Sequence, residues 1–221
     1  MKGRLYRNYI KRLIDFIMSF VAIIVLSPVL ILVALLVRIN LGSPIIFKHN
    51  RPGMNERIFT MYKFRTMTDE RDSTDELLPD SVRLTDFGRF LRSTSLDELP
   101  ELLNILKGDM SFMGPRPLVT KYLPYYTDEE RTRHSVKPGL SGLAQINGRN
   151  IASWEQRFRY DIDYVNNITF LGDLKIIVKT LLKVIKRADV GEPGIDDPLD
   201  FDQYRQAEFN KQANLPKKYV V

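Results

Sequence analysis

The chain has 221 residues, 44% of them hydrophobic and 27% charged, with a net charge of +6 at pH 7; collagen-like, coiled-coil and wholly disordered chains are excluded by that balance. Cysteine is absent and only His49 and His134 could supply imidazole, which excludes disulfide frameworks, thiolate metal sites and a cysteine nucleophile and leaves hard cations held by oxygen. The basic excess is local, because residues 1–65 carry eleven Lys/Arg against Asp15 and Glu56, a balance of +9, while the rest of the chain totals −3.

From Phe16 to Val37 run 22 residues without a formal charge. As one straight helix they would measure about 33 Å, enough to cross a hydrocarbon core of roughly 30 Å. Two features argue against crossing. Pro28 cannot donate to the carbonyl four residues earlier, and Ser27 can hydrogen-bond a carbonyl so freed. Basic residues flank the run on both sides, with Lys2, Arg4, Arg7, Lys11 and Arg12 before it and Arg38, Lys48, Arg51 and Arg57 after it. Both flanks then suit one side of a membrane. A helix–break–helix that enters one leaflet and returns is expected; a kinked bitopic anchor is the alternative.

Ile45–Lys48 reads as a strand, Asn50–Asn55 as a turn and Arg57–Met67 as a second strand. Alternation places Met61, Lys63, Arg65 and Met67 on one face, so Lys63 and Arg65 project together, either toward an anion or as a solvated basic edge. Residues 68–86 are polar and read as a loop, and Phe87–Arg92 has helical spacing. Ser95 and Glu98 have the form of a capping box before a helix whose apolar stripe is Leu99, Leu102, Leu103 and Leu106. Gly114-Pro115-Arg116-Pro117 reads as a rigid turn and residues 136–150 as a loop. Residues 174–187 place Lys175, Lys179, Lys183 and Lys186 beside an apolar stripe, which suits an interfacial helix or a solvated helix face. Beyond residue 187 a loosely held tail is expected.

Asp97 and Glu98 are adjacent acids at a helix start, with Arg92 upstream, where the helix dipole favours ionised carboxylates. They are either caps or a magnesium site with a nucleophile. Lys63, Arg65, Arg92, Arg116 and Arg149 supply cations near turns and glycines. Paired acids, a metal and several guanidinium groups together suit phosphoryl transfer on a polyanionic ligand. A membrane-bound nucleotide-sugar hydrolase and a non-enzymatic membrane adaptor are the rival classes. Nucleic acid is not an expected partner, because basic and aromatic residues do not interleave outside the membrane-proximal part.

Four long motifs in order carry a resemblance. They are Lys63-Phe64-Arg65-Thr66-Met67, the run from Ser95 to Asn104, the run from Lys107 to Pro117, and the run from Pro138 to Arg149. With them the chain, from about Tyr9 to Arg187, resembles the bacterial sugar transferases, the monotopic phosphoglycosyl transferases. It is similar to the small members, such as the enzyme that initiates bacterial protein N-glycosylation. The resemblance implies an α+β, mainly helical, membrane-monotopic fold. Residues 1–41 would be a re-entrant membrane helix with its break at Ser27-Pro28, 42–187 a catalytic domain with interfacial helices, and 188–221 a variable tail. It implies transfer of a sugar-1-phosphate from a UDP-sugar to polyprenol phosphate at the cytoplasmic face of the bacterial inner membrane, as the first membrane step of glycan assembly. Asp97 would carry the phosphosugar covalently, and Glu98 would complete the acid dyad as magnesium partner, base or positioner. Lys63, Arg92 and Arg149 would hold phosphates, and Arg116 would belong to the pocket wall. An N-acetylated amino sugar is the expected donor sugar, with galactose or glucose as the alternative.

Overall fold

The computed structural model describes residues 5–148, 153–186 and 200–213. These are mainly helical, with two small two-stranded sheets. The chain opens on a helix over Tyr6–Val25, regular from Lys11 to Val25 (α1), followed by Ser27–Leu41 (α2), the two bent by 64°. Pro28 has no N–H for the Ile24 carbonyl, and Ser27 Oγ donates to that carbonyl instead, at 2.7 Å. Pro28 thereby falls in the first turn of α2, where a missing N–H costs least. No single helix among the described residues is long and apolar enough to cross a membrane; this bent pair is so by length and composition together.

Strand β1 (Ile46–Pro52) pairs antiparallel with β2 (Ile58–Phe64), with Phe47 opposite Lys63, His49 opposite Met61 and Arg51 opposite Phe59. The expected turn at Asn50–Asn55 is displaced, because β1 runs on to Pro52 and the reversal is closed by Gly53 N–H donating to the Arg57 carbonyl at 2.8 Å. The second strand also ends earlier than expected, at Phe64. Helix α3 (Asp86–Ser93) starts at Thr85, whose hydroxyl accepts from Gly88 N–H at 3.0 Å. Only glycine fits at 88, since a Cβ there would stand 1.9 Å from the Thr66 carbonyl oxygen. This close approach seats α3 on the end of β2.

Ser95 takes a left-handed φ of 56° and opens a single 3₁₀ turn, Leu96–Glu98, ahead of α4 (Glu101–Lys107). The expected capping box is not formed. The Ser95 side chain caps nothing, and the Glu98 carboxylate is drawn to distant cations instead. The buried face of α4 is Glu101, Leu102, Asn104 and Ile105; Leu103, expected in the apolar stripe, is exposed because β2 and α1 cover the opposite side. Strands β3 (Ser111–Met113) and β4 (Gly139–Ser141) pair in parallel. The stretch expected as a loop therefore holds a strand and a helix, α5 (Leu143–Gly148). Its glycines serve close packing as well as turning: a Cβ on Gly139 would lie 2.1 Å from the Gly114 nitrogen. Helices α6 (Trp154–Asn166), α7 (Phe170–Lys186) and α8 (Phe201–Ala213) complete the fold. The expectation of a loosely held tail fails for α8. Phe201 is fully buried among Tyr122, Tyr126, Trp154 and Phe158, and Asp200 accepts from the Tyr122 hydroxyl at 2.9 Å.

Helix α1 is fastened to this body by polar contacts. Arg12 donates to the carbonyls of Ile105 (2.7 Å) and Leu106 (2.8 Å), closing the C-terminal end of α4 with a cation. Buried Asp15 accepts from Phe112 N–H at 3.1 Å. Asp173 of α7 gathers Tyr6, Lys11 and Tyr164 at 2.7, 2.6 and 2.9 Å. The outer sides of α1 and α2 expose Leu13, Phe16, Ile17, Phe20, Ile24, Ile31, Leu32 and Leu35. Helix α7 turns Asp173 and Ile176 inward and leaves Leu171, Leu174, Val178, Leu181 and Leu182 exposed beside Lys175 and Lys179.

Candidate active site

The paired strands β1 and β2 form one wall of a cavity of about 830 Å³. Because directly opposed residues share a face, Phe47, His49 and Arg51 of β1 line it together with Met61 and Lys63 of β2. Helix α3 adds Arg92, the 3₁₀ turn adds Asp97 and Glu98, and the proline-flanked segment after β3 adds Arg116. Residues 67–84 supply the opposite rim through Met67, Asp69, Leu77 and Arg83. The volume lies within the range of small-molecule sites and leaves room for a nucleotide-sized ligand.

Two side chains hold the walls in place. Asn104 is fully buried in α4, and its amide accepts from Tyr62 N–H at 3.1 Å and donates to the Thr60 carbonyl at 2.7 Å. It thereby occupies the place of a third strand along the open edge of β2. Arg133, buried on Asp161 at 2.7 Å, donates to the Arg116 carbonyl at 2.8 Å and so fixes the Pro-Arg-Pro segment.

Glu98 Oε1 accepts from Lys63 at 2.7 Å and from Arg116 at 2.8 Å. Lys63 also approaches Glu101 Oε1 at 3.2 Å, an ion-pair distance without hydrogen-bond alignment. Arg92 Nε donates to the Thr66 hydroxyl at 3.1 Å. Asp97 is 7% exposed. Burial pushes its carboxyl upward and Glu98 adds to this, while Lys63, Arg92 and Arg116 pull it down. The expectation that a helix dipole keeps Asp97 ionised is thus corrected: Asp97 sits inside the 3₁₀ turn ahead of α4, and burial outweighs the pull of the surrounding cations. Glu101 is pushed up to about 7, chiefly by burial. Arg116 is raised, chiefly by Glu98.

Of the residues singled out in the sequence, Lys63, Arg92, Arg116, Asp97 and Glu98 meet in this cavity. Arg65 lines it as well, and its backbone N–H donates to the Ile45 carbonyl at 3.0 Å. Its guanidinium is taken up within the protein, donating to the carbonyls of Leu41 (3.2 Å), Ser43 (3.0 Å) and Met67 (2.9 Å) and pairing with Asp69 at 2.6 Å. It works as a clamp between α2 and β2. Arg149 lies outside the described residues, and Ser27 and Pro28 sit at the helix bend. Sequence reasoning missed Glu101 and the Arg51–His49 pair. The i, i+3 and i, i+4 spacing of Glu101 from Glu98 and Asp97 was a readable signal for the first, and the alternation of β1 was one for the second.

Among the described residues no three His, Asp or Glu side chains are grouped to hold a metal ion. Asp97 and Glu98 offer carboxylate oxygens, the donor type that Mg²⁺ prefers. That ion ordinarily takes one or two carboxylates and completes its shell with water and substrate phosphate, so the donor set fits an ion shared with a diphosphate.

The model of the family described as bacterial sugar transferase matches residues 6–187. EpsL of Bacillus subtilis, named an uncharacterized sugar transferase, is 53% identical over 176 residues, covering 80% of this chain and 87% of its own. The undecaprenyl-phosphate galactose phosphotransferase of Salmonella typhimurium is 38% identical over 197 residues, 81% of this chain and 41% of its own. The UDP-glucose:undecaprenyl-phosphate glucose-1-phosphate transferase of Klebsiella pneumoniae is 40% identical over 183 residues, 78% of this chain and 39% of its own. The chain thus spans most of EpsL and about two fifths of the other two.

Proposed function

The chain belongs to the bacterial sugar transferase family, and from that premise we propose that it moves a sugar-1-phosphate from a UDP-sugar to polyprenol phosphate, giving polyprenol-diphosphate-sugar and UMP. The observation that carries this reading is Asp97, a buried carboxyl ringed by Lys63, Arg92 and Arg116 in a nucleotide-sized cavity. In the first step an Asp97 oxygen attacks the sugar-side phosphorus. The bond from that phosphorus to the bridging oxygen breaks, and UMP departs with the electron pair. In the second step an oxygen of polyprenol phosphate attacks the same phosphorus and Asp97 is released as carboxylate. Lys63 and Arg116 neutralise charge on the diphosphate as it divides. Glu98 positions them, since one of its oxygens accepts from both. Mg²⁺ held by Asp97 and Glu98 would supply further neutralisation of the diphosphate.

Purified protein, magnesium and a donor panel without acceptor test the two steps. An N-acetylated amino sugar nucleotide, the donor expected from the sequence, is compared with UDP-galactose and UDP-glucose, whose sugars appear in the names of the relatives. One UMP per active site and a trapped phosphosugar adduct, both lost in Asp97→Asn, are expected. UMP released only with polyprenol phosphate, and no adduct, would establish direct transfer instead.

We place the helix pair in the cytoplasmic leaflet of the bacterial inner membrane as a re-entrant element, with the catalytic body on the cytoplasmic face. The 64° bend, the Ser27 bond and the exposed apolar sides of α1 and α2 support this; the exposed apolar and lysine stripes of α7 suit the interface beside it. Cysteines at 5 and 42 of this cysteine-free chain should label from the same side of the membrane; labelling from opposite sides makes the pair a bitopic anchor.

A further inference from the structure

We propose that Arg51 binds the nucleotide-side phosphate of the donor and stabilises it as it departs in UMP, an inference that rests on the transfer reaction above. Alternation along β1 puts Arg51 on the cavity wall, four residues from Phe47, the partner of Lys63. The two side chains thus leave the hairpin about 13 Å apart and can reach different parts of one elongated ligand. Arg51 Nη2 lies 3.1 Å from His49 Nδ1, and burial with two flanking cations holds His49 toward its neutral form, able to accept that bond. His49 thereby sets the plane of the guanidinium. Arg51 Nε is buried without a hydrogen-bond partner, and Arg51 makes no ion pair among the described residues.

A half-buried guanidinium with an unsatisfied donor and a second arginine for a neighbour is costly unless an anion joins it. Burial and the Arg116 charge both disfavour its charged form. The fields within the site divide in two. Asp97 feels Lys63, Arg92 and Arg116, whereas Arg51 feels Arg116 and Glu101, so Arg116 is the neighbour common to both groups. A diphosphate whose reacting phosphorus faces Asp97 would lie on Arg116 and present its second phosphate to Arg51. A planar fork suits that phosphate better than a point charge does.

The test measures UMP affinity by calorimetry in wild type, Arg51→Gln and Arg51→Lys, together with the rate at which pre-formed adduct passes to polyprenol phosphate. The expected result is UMP affinity weakened about tenfold or more in Arg51→Gln and less in Arg51→Lys. Adduct turnover should slow as well, because the polyprenol phosphate attacks in line from the place that UMP vacates. Unchanged UMP affinity in a variant that melts like wild type overturns the proposal. If wild type forms no adduct, the two-step reaction fails while the UMP comparison still decides the role of Arg51.

Discussion

Replacing Asn104 with alanine removes a side chain that stands in for a strand. The amide is fully buried and satisfies the Tyr62 N–H and the Thr60 carbonyl at 3.1 and 2.7 Å. Alanine leaves both backbone groups without a partner, and each such loss costs about 1–3 kcal/mol. The third contact, to Asp109 at 3.3 Å, is long and adds little. The variant should therefore lose about 2–6 kcal/mol, or roughly 4–24 °C of melting temperature for a chain of this size. Asn104→Asp should be no better, since a carboxylate keeps the acceptor for Tyr62 and turns a second acceptor toward the Thr60 carbonyl. Urea unfolding of protein in detergent gives the stability difference, and adduct formation at a temperature where the variant is folded gives the effect on Lys63. A loss below about 1 kcal/mol, with adduct formation at the wild-type rate, would show that β2 keeps its register without α4.

Glu101 predicts a pH dependence of known sign. Its carboxyl is raised from 4.5 to about 7 in the folded chain, so the folded state holds a proton that the unfolded state gives up. Stability contributed by this group is then full below about pH 4.5 and falls until about pH 7, by about 3 kcal/mol at 1.36 kcal/mol per pH unit. The difference between wild type and Glu101→Gln should grow through that window; a difference independent of pH refutes the assignment. Pro28→Ala restores a donor for the Ile24 carbonyl and should reduce the 64° bend. Labelling at cysteines 5 and 42 should then include a population reached from opposite sides, and unchanged labelling would assign the topology to the flanking charges.

What could be read from the sequence follows the range of the interaction. The break at Pro28 is a local consequence of a missing N–H, and Ser27 closes the carbonyl thus exposed. Lys63 follows from strand alternation, and the acid pair from its neighbourhood to Arg92. Where a long-range partner decides, the local pattern misleads. Ser95 and Glu98 have the letters of a capping box, but Lys63 and Arg116, 35 and 18 positions away, take the carboxylate. Arg65 lines the cavity beside Lys63, but the Leu41 and Ser43 carbonyls, more than twenty positions away, take up its guanidinium. Phe201 stands in a stretch dominated by glycine, proline and aspartate, so composition concealed an aromatic anchor. Much of the N-terminal charge excess is used inside the molecule, since Lys11, Arg12 and Arg65 are engaged within the protein and Arg51 and Lys63 face the cavity.

The fork from Arg12 to the Ile105 and Leu106 carbonyls of α4 makes the apolar N-terminal helix a structural member of the body that carries the site. A segment kept only for greasiness and length would need no such contact, yet this one adds a cation to the Gly108-capped end of the helix that carries Glu101 and Asn104. A chimera with an unrelated segment in place of α1 would keep the Gly108 cap but leave the Leu106 carbonyl without its cation and the active centre slackened.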